Sequence, residues 1–270
     1  MATDFPGFRE FEQGAWSRQG KAAEYRDHFA PLTRPFADHL VRVLGIGPGT
    51  RVLDLGSGSG VFSAAAAATG AEVTGLDFSP EMVATASAEH PGIRFLVGDA
   101  EEPALEEGTG DAIMAGFVLQ HLARPELALR AWHRLLAPGG RVGLCNWVFE
   151  ARPTPSPQTV FRQALGDAGV VPAVALPDGP DLMRYDSRET MRGLLERAGF
   201  TGVEHEELAI PSHLSADQIW DAMVKGSVRM AALMEGQGDL VRERVREALR
   251  ERVAGERSIT LNASVASAGV

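Results

Sequence analysis

The chain has 270 residues, 44% hydrophobic and 23% charged, with 26 Lys and Arg against 36 Asp and Glu and a net charge of −10 at pH 7. That length can bury a sizeable core in one large domain, and the acidic balance argues against a nucleic-acid partner, which needs clustered Lys and Arg. A single cysteine, Cys145, excludes an internal disulfide and a cysteine-based metal site, while the lack of a signal-peptide core or of an apolar run near the ~20 residues of a membrane helix makes a cytoplasmic setting without a membrane partner the expectation.

Residues 1–45 are expected to form a helical arm. Trp16, Tyr25, His28 and Phe29 stand in a mixed polar setting, and Phe36, Leu40, Val43 and Leu44 follow at helical spacing until IGPG closes the run. RVLDLGSGSG, residues 51–60, then joins a strand to a glycine turn and a helix. Val52, Leu53 and Leu55 are the apolar run of a strand covered on both faces, interrupted by Asp54. Gly56, Gly58 and Gly60 let the main chain take positive φ and approach a ligand closely, and the helix after Gly60 points its free N–H groups at whatever fills the turn. EVTGLD forms a second strand ending at Asp77, and residues 93–97 form a third that delivers Gly98, Asp99 and Ala100. Each acid follows the last by about one strand–helix–strand repeat. Three carboxylates therefore stand at the carboxyl ends of successive parallel strands, where open α/β sheets bind ligands.

After Asp77, Ser79 is the N-cap, Pro80 the first helical residue and Glu81 part of the first turn. Phe78 and Met82 stand where a planar base could be sandwiched, or serve as plain core. EEPALEEG reads as a solvated loop with one helical turn. The fourth strand starts at Asp111, and Phe117 to His121 form its exit, opposite the glycine turn. PELALRAWHRLL is an amphipathic helix in which Trp132 and His133 need no functional role. RVGLCNWVF is the fifth strand, with Cys145 as inert core and an end near Asn146 and Trp147. Residues 151–185 are proline-rich without a long periodic run, which suggests an inserted cap. Ser187 opens a helix that Gly199 ends; FTGVEHEELAI is the sixth strand, which Pro211, Ser212 and His213 leave. Ser215 caps a helix whose Ile219, Trp220, Met223, Ser227, Met230 and Met234 make one apolar stripe. Such a stripe suits a lid over a flat acceptor, ordinary core, or a homodimer face. RERVREALRER alternates charges as a solvated helix face, and RSITLNASVASAGV alternates as a last strand.

LDLGSGSG, the acid Asp77, GDAEE and the turn LLAPGGRVGL at residues 135–144 together resemble the class I S-adenosylmethionine-dependent methyltransferases. The flavour is that of small-molecule enzymes related to ubiquinone and menaquinone biosynthesis and to tailoring in secondary metabolism. The resemblance implies an α/β fold: a Rossmann-like, seven-stranded, mostly parallel sheet with helices on both faces and helical cap or lid insertions. Its parts would be the arm at 1–45, the cofactor-binding core at 46–149, a cap at 150–186, and a C-terminal part at 187–270 with a lid at 213–256. It implies S-adenosylmethionine as cofactor, S-adenosylhomocysteine as product and a small-molecule methyl acceptor. By that likeness Asp54, Gly56, Gly58 and Gly60 form the turn around the cofactor, Asp77 holds the ribose, Phe78 and Met82 flank the base, and Asp99 and Ala100 read the adenine. Phe117 and Gln120 face the transferable methyl. The arm, with Tyr25 and Trp16, covers the methionine end.

A sulfonium methyl is already activated, so orientation carries most of the catalysis. An acceptor that must lose a proton gains from a base, and His121, His28 and His213 are the candidates. A nicotinamide dehydrogenase fits less well, because its fingerprint places glycines at positions one, three and six, whereas Val61 takes the sixth place here. The tetrad of the nucleic-acid amine methyltransferases is replaced by FVLQ, and NWVFEA offers too few carboxylates for a metal-dependent catechol enzyme, so no metal site is expected. A protein of this fold that binds the cofactor for a non-methylating reaction such as cyclisation stays open.

Overall fold

The computed structural model describes residues 5–148, 152–171, 175–180, 185, 187–256 and 258–270. The apolar runs become β1 (Arg51–Leu55), β2 (Glu72–Asp77), β3 (Arg94–Val97), β4 (Gly110–Gly116) and β5 (Leu136–Trp147), all parallel. The remaining strands are β6 (Thr201–Ser212) and β7 (Ile259–Gly269), and β7 runs antiparallel between β5 and β6. The order β3-β2-β1-β4-β5-β7-β6 reverses direction between β1 and β4, which opens a crevice at the carboxyl ends of those two strands.

Strand alternation sends successive residues to opposite faces. Val52, Met114, Cys145 and Val265 enter one core cluster, and their neighbours Leu53, Ile113, Leu144 and Ala266 enter the other. The first cluster is covered by α3 (Ala30–Val43), α4 (Val61–Ala67) and α7 (Pro157–Asp167), and the second by α6 (Pro125–Leu135) and α8 (Arg188–Arg197). α5 (Pro80–Glu89) begins on a Ser79 cap whose hydroxyl accepts from the Met82 N–H. The expected seven-stranded Rossmann-like sheet is present.

Several details differ from the expectations. Within the stretch expected to lack a periodic run, Ser156 caps α7, which buries Val160, Phe161, Ala164 and Leu165 in the core. Its proline lies in the first turn, where no N–H is required. The Met stripe is not one helix: α9 (Ala216–Asp221) passes into a π-turn at Ala222–Gly226, Ser227 is extended, and α10 (Arg229–Met234) begins anew. β6 retains Pro211 and Ser212, paired with Thr260 and Ile259, because an edge strand tolerates a missing N–H. β4 ends at Gly116, and residues 117–121 turn instead of extending it. The acid-rich loop after β3 has no helical turn, and its Glu101 is buried. Phe149 lies outside the described residues. α11 (Asp239–Gly255) presents the charge-alternating face with Val245 and Leu249 turned inward. Cys145 is fully buried, and burial pushes its thiol upward in pKa.

The arm consists of α1 (Pro6–Trp16), α2 (Lys21–His28) and α3. Its first part lies over the crevice, fixed by Gly20 N donating to Glu81 Oε1 at 2.8 Å and by the Ser79 hydroxyl donating to Trp16 O at 3.3 Å. The buried Lys21 ammonium donates to the carbonyls of Lys225 and Ser227, tying the arm to the π-turn. Burial lowers its pKa to about 8.

Candidate active site

The floor of the crevice is built by β1 and β2. Gly56 and Ser57 both donate to the Leu76 carbonyl, at 2.8 and 2.9 Å, which folds the turn back over the end of β2. Gly56 has φ +76°, and a Cβ there would lie 2.3 Å from Val118 Cγ2. Only glycine fits that bend. Gly58 and Ser79 then donate to the two oxygens of Asp77, each at 2.9 Å. Two charge-assisted bonds fix this carboxylate in position, although burial still raises its pKa.

Around this floor lies a cavity of about 1320 Å³, mouth included. Asp77, Phe78, Met82, Gly56, Gly58, Asp99 and Ala100 line one side, and Phe117, Gln120, His121 and Tyr25 stand farther along it. Neighbouring strands are ~4.8 Å apart, so the rim from Asp99 after β3 to Trp147 at the end of β5 spans ~19 Å. Asp99 accepts from the Arg9 guanidinium, and its Oδ1 accepts from Glu101 N at 2.8 Å. The indole of Trp132 donates to Ala100 O at 2.7 Å, giving that core residue a part in shaping the loop. Phe117 has φ +60°, the one positive value at a non-glycine residue among those described. Such backbone strain concentrates at functional sites.

Not every expected residue reaches the cavity. Asp54 is buried, accepts from Ser63 Oγ at 2.6 Å and does not line it; burial raises its pKa to about 7. Gly60 is also outside the lining and instead packs toward His90 and Phe95 of the neighbouring repeat. His28 lies 3.9 Å from Asp221, and His213 is exposed; neither lines the cavity. Of the three acids expected to converge, Asp77 and Asp99 line the cavity and Asp54 does not, its carboxylate being bonded to Ser63 instead.

His121 does face the cavity, and it has partners that no motif indicated. Its Nδ1 lies 2.8 Å from Glu12 Oε2, while Glu12 Oε1 accepts from Arg229 Nε at 2.8 Å. Trp16 Nε1 donates to Glu12 Oε2 at 3.1 Å, and the Trp16 ring meets His121 edge-on at 5.4 Å. Arg229 also donates to the Gln120 carbonyl and lies over the Phe8 ring. Burial would raise the Glu12 pKa, but the His121 and Arg229 charges and bonds outweigh it and the net shift is downward. Glu12 is therefore a buried carboxylate held by the Arg229 guanidinium and by its contacts with His121 and Trp16. Its one sequence signal was position: Phe8, Glu12 and Trp16 recur every four residues, placing an acid on the apolar face of α1. Arg229 carried no signal. Among the described residues no group of three His, Cys, Asp or Glu side chains is gathered as a metal site would need. None of the stripe methionines is exposed: Met223 and Met234 are buried, and Met223 and Met230 line the cavity.

The residues fit an adenosyl group: a glycine turn with no room for a Cβ, a pinned carboxylate, and Phe78 and Met82 as apolar lining beside it. Comparison with known proteins agrees. The family model for a methyltransferase domain matches residues 53–144. A demethylmenaquinone methyltransferase from Clavibacter sepedonicus is 30% identical over 173 residues, covering 59% of this chain and 69% of that protein. A putative methyltransferase from an antibiotic biosynthesis pathway of Anabaena variabilis superposes with TM-score 0.64 at 18% identity, over 87% of this chain and 97% of that one. The cyclase SpnF shares the fold too, with TM-score 0.55 at 20% identity over 87% of this chain and 80% of its own. These matches displace the nicotinamide alternative: the chain belongs to the class I S-adenosylmethionine-dependent methyltransferases of the small-molecule type, and S-adenosylmethionine is its cofactor.

Proposed function

We propose that this enzyme methylates a ring hydroxyl of a small, largely apolar metabolite, with His121 as general base and Glu12 as the residue that orients it. The observation that carries this reading is the Glu12–His121 pair at 2.8 Å, set in the same cavity as Asp77 and the glycine turn. Asp77 would hold the ribose hydroxyls, Asp99 and Ala100 the adenine, and Phe78 and Met82 its faces. Gly56 and Gly58 would cradle the methionine portion, with Tyr25, Phe117 and Gln120 around it. Bound S-adenosylmethionine supplies a methyl group whose leaving group is a neutral thioether.

The chain's own part is orientation, exclusion of water and removal of one proton. Glu12 accepts from Nδ1–H, which leaves Nε2 as the basic atom of His121. Gln120 Nε2 sits 3.2 Å from that nitrogen, the place an acceptor hydroxyl would take. His121 then takes the hydroxyl proton at Nε2, and Glu12 stabilises the imidazolium. α1 lies over the reacting region and keeps water from it. The similarity to a demethylmenaquinone methyltransferase supports a neutral ring acceptor, and the net charge of −10 supports the absence of a nucleic-acid partner.

Isotopically labelled S-adenosylmethionine incubated with a panel of phenolic bicycles tests the reading. Labelled O-methyl product, with turnover reduced at least about tenfold in His121→Ala and cofactor affinity retained, is the expected result. Cofactor binding without transfer to any acceptor would favour a non-methylating reaction, and full turnover in His121→Ala would remove the base.

A further inference from the structure

At the β5 end the cavity wall holds polar atoms that the proposed chemistry does not use. Trp147 is 3% exposed and Gln158 8% exposed, and both line the cavity. The indole Nε1 of Trp147 and both amide atoms of Gln158 are buried without a hydrogen-bond partner among the described residues. An unpartnered buried amide costs on the order of 1–3 kcal/mol. Such orphaned atoms on two residues of the lining, one at a strand end and one in the first turn of α7, call for a partner that the described residues do not supply.

The surroundings define the ligand. The Trp147 ring stacks on Phe117 at 4.0 Å and meets Phe29 edge-on at 5.8 Å. Met223 and Met230 complete an apolar wall. The cationic side chains of the lining are already engaged, Arg9 with Asp99 and Glu101 and Arg229 with Glu12. Among the described residues an anionic acceptor would find no free counter-charge there, and burying its charge would be costly. Indole N–H and amide N–H₂ are both donors and Gln158 Oε1 is an acceptor, so an accepting oxygen satisfies the two donors and leaves Oε1 for a separate donor.

We propose that Gln158 and Trp147 form the acceptor-specificity site and that they recognise a carbonyl oxygen on a neutral, flat, fused-ring substrate whose hydroxyl faces His121. The assignment rests on the β4–β5 end of the cavity being the acceptor end. β5 lies two strands beyond β1 on the side away from Asp77 and Asp99, so an adenosyl group held by those acids leaves this end open.

The test is equilibrium binding of a hydroxytetralone, and of the hydroxytetralin lacking its ketone, to protein saturated with S-adenosylhomocysteine. Wild-type protein is expected to bind the ketone at least about tenfold more tightly, because a site built around a polar group rejects the analogue without it. Gln158→Met keeps the volume and Trp147→Phe keeps the stacked ring while deleting the N–H, and S-adenosylhomocysteine binding reports that each variant is folded. A preference that collapses to within about threefold in at least one folded variant supports the assignment. Equal binding of the two bicycles by wild type, no binding of either, or a preference unchanged in both variants overturns it. Ketone-selective binding without S-adenosylmethionine turnover would instead defeat the methyl-transfer reading and leave this site standing.

Discussion

At the scale of single residues, the site depends on buried carboxylates that serve opposite ends. Glu12 is paired with Arg229 and bonded to His121, so, on the proposed reading, Glu12→Gln should lower kcat about tenfold while the KM for S-adenosylmethionine stays within about twofold, as expected of a residue acting through the base. Steady-state kinetics with Glu12→Asp as a partial rescue measures this, and an unchanged kcat would remove Glu12 from the mechanism. Asp54 behaves in the other direction. Its folded pKa of about 7 lies above the ordinary 3.8, so the folded chain binds the extra proton between those values and stability declines as pH rises through the window. Asp54→Asn should therefore raise the thermal midpoint by a few degrees at pH 8 and leave it nearly unchanged near pH 4. A variant equally stabilised, or equally destabilised, at both pH values would contradict the assignment of a buried ionising carboxyl.

Among the elements, the turn after β1 and the first turn of α7 both bring residues to the cavity wall. Gly56→Ala must relieve both a positive φ and a 2.3 Å approach to Val118, and calorimetry should find cofactor affinity reduced at least about tenfold. α7 starts on the Ser156 hydroxyl, which accepts from Thr159 N at 3.2 Å, and Gln158 sits between them. Ser156→Ala should cost about 1 kcal/mol of stability and raise the acceptor KM more than the cofactor KM; the reverse order would separate α7 from the acceptor. These two elements also differ in how far they could be read beforehand. Glycines at alternate positions followed by Asp77 state the turn in a contiguous string, because one repeat of strand, turn and helix makes it. α7 was hidden by its prolines, although Ser156-Pro157 is a helix start. The break in the methionine stripe at Ser227 was invisible because apolar periodicity runs on through the π-turn.

Considering the whole molecule, the strands were legible from their apolar patterns and repeat spacing and the seven-stranded sheet from the resemblance, whereas the Glu12–His121–Arg229 cluster was not, because its members come from α1, the exit of β4 and α10 and meet only in the folded chain. Asp54 was grouped with Asp77 and Asp99 for a related reason: residues at equivalent strand ends share a rim, but alternation along β1 turns Asp54 toward Ser63. Because the turn, β2, the loop after β3 and the arm line one cavity, a cofactor seated there as proposed should stabilise the fold as a unit. S-adenosylhomocysteine at one hundred times its Kd should add about 2.7 kcal/mol, raising the thermal midpoint by roughly 5–10 °C at ~2–4 °C per kcal/mol. The most direct measurement is a calorimetric titration of S-adenosylmethionine into wild-type protein and Asp77→Ala. Wild type should bind one equivalent, and the variant at least about tenfold more weakly for loss of the ribose hydrogen bonds, ~1.4 kcal/mol; equal affinity in the two proteins would contradict the placement of the cofactor on which the site has been built.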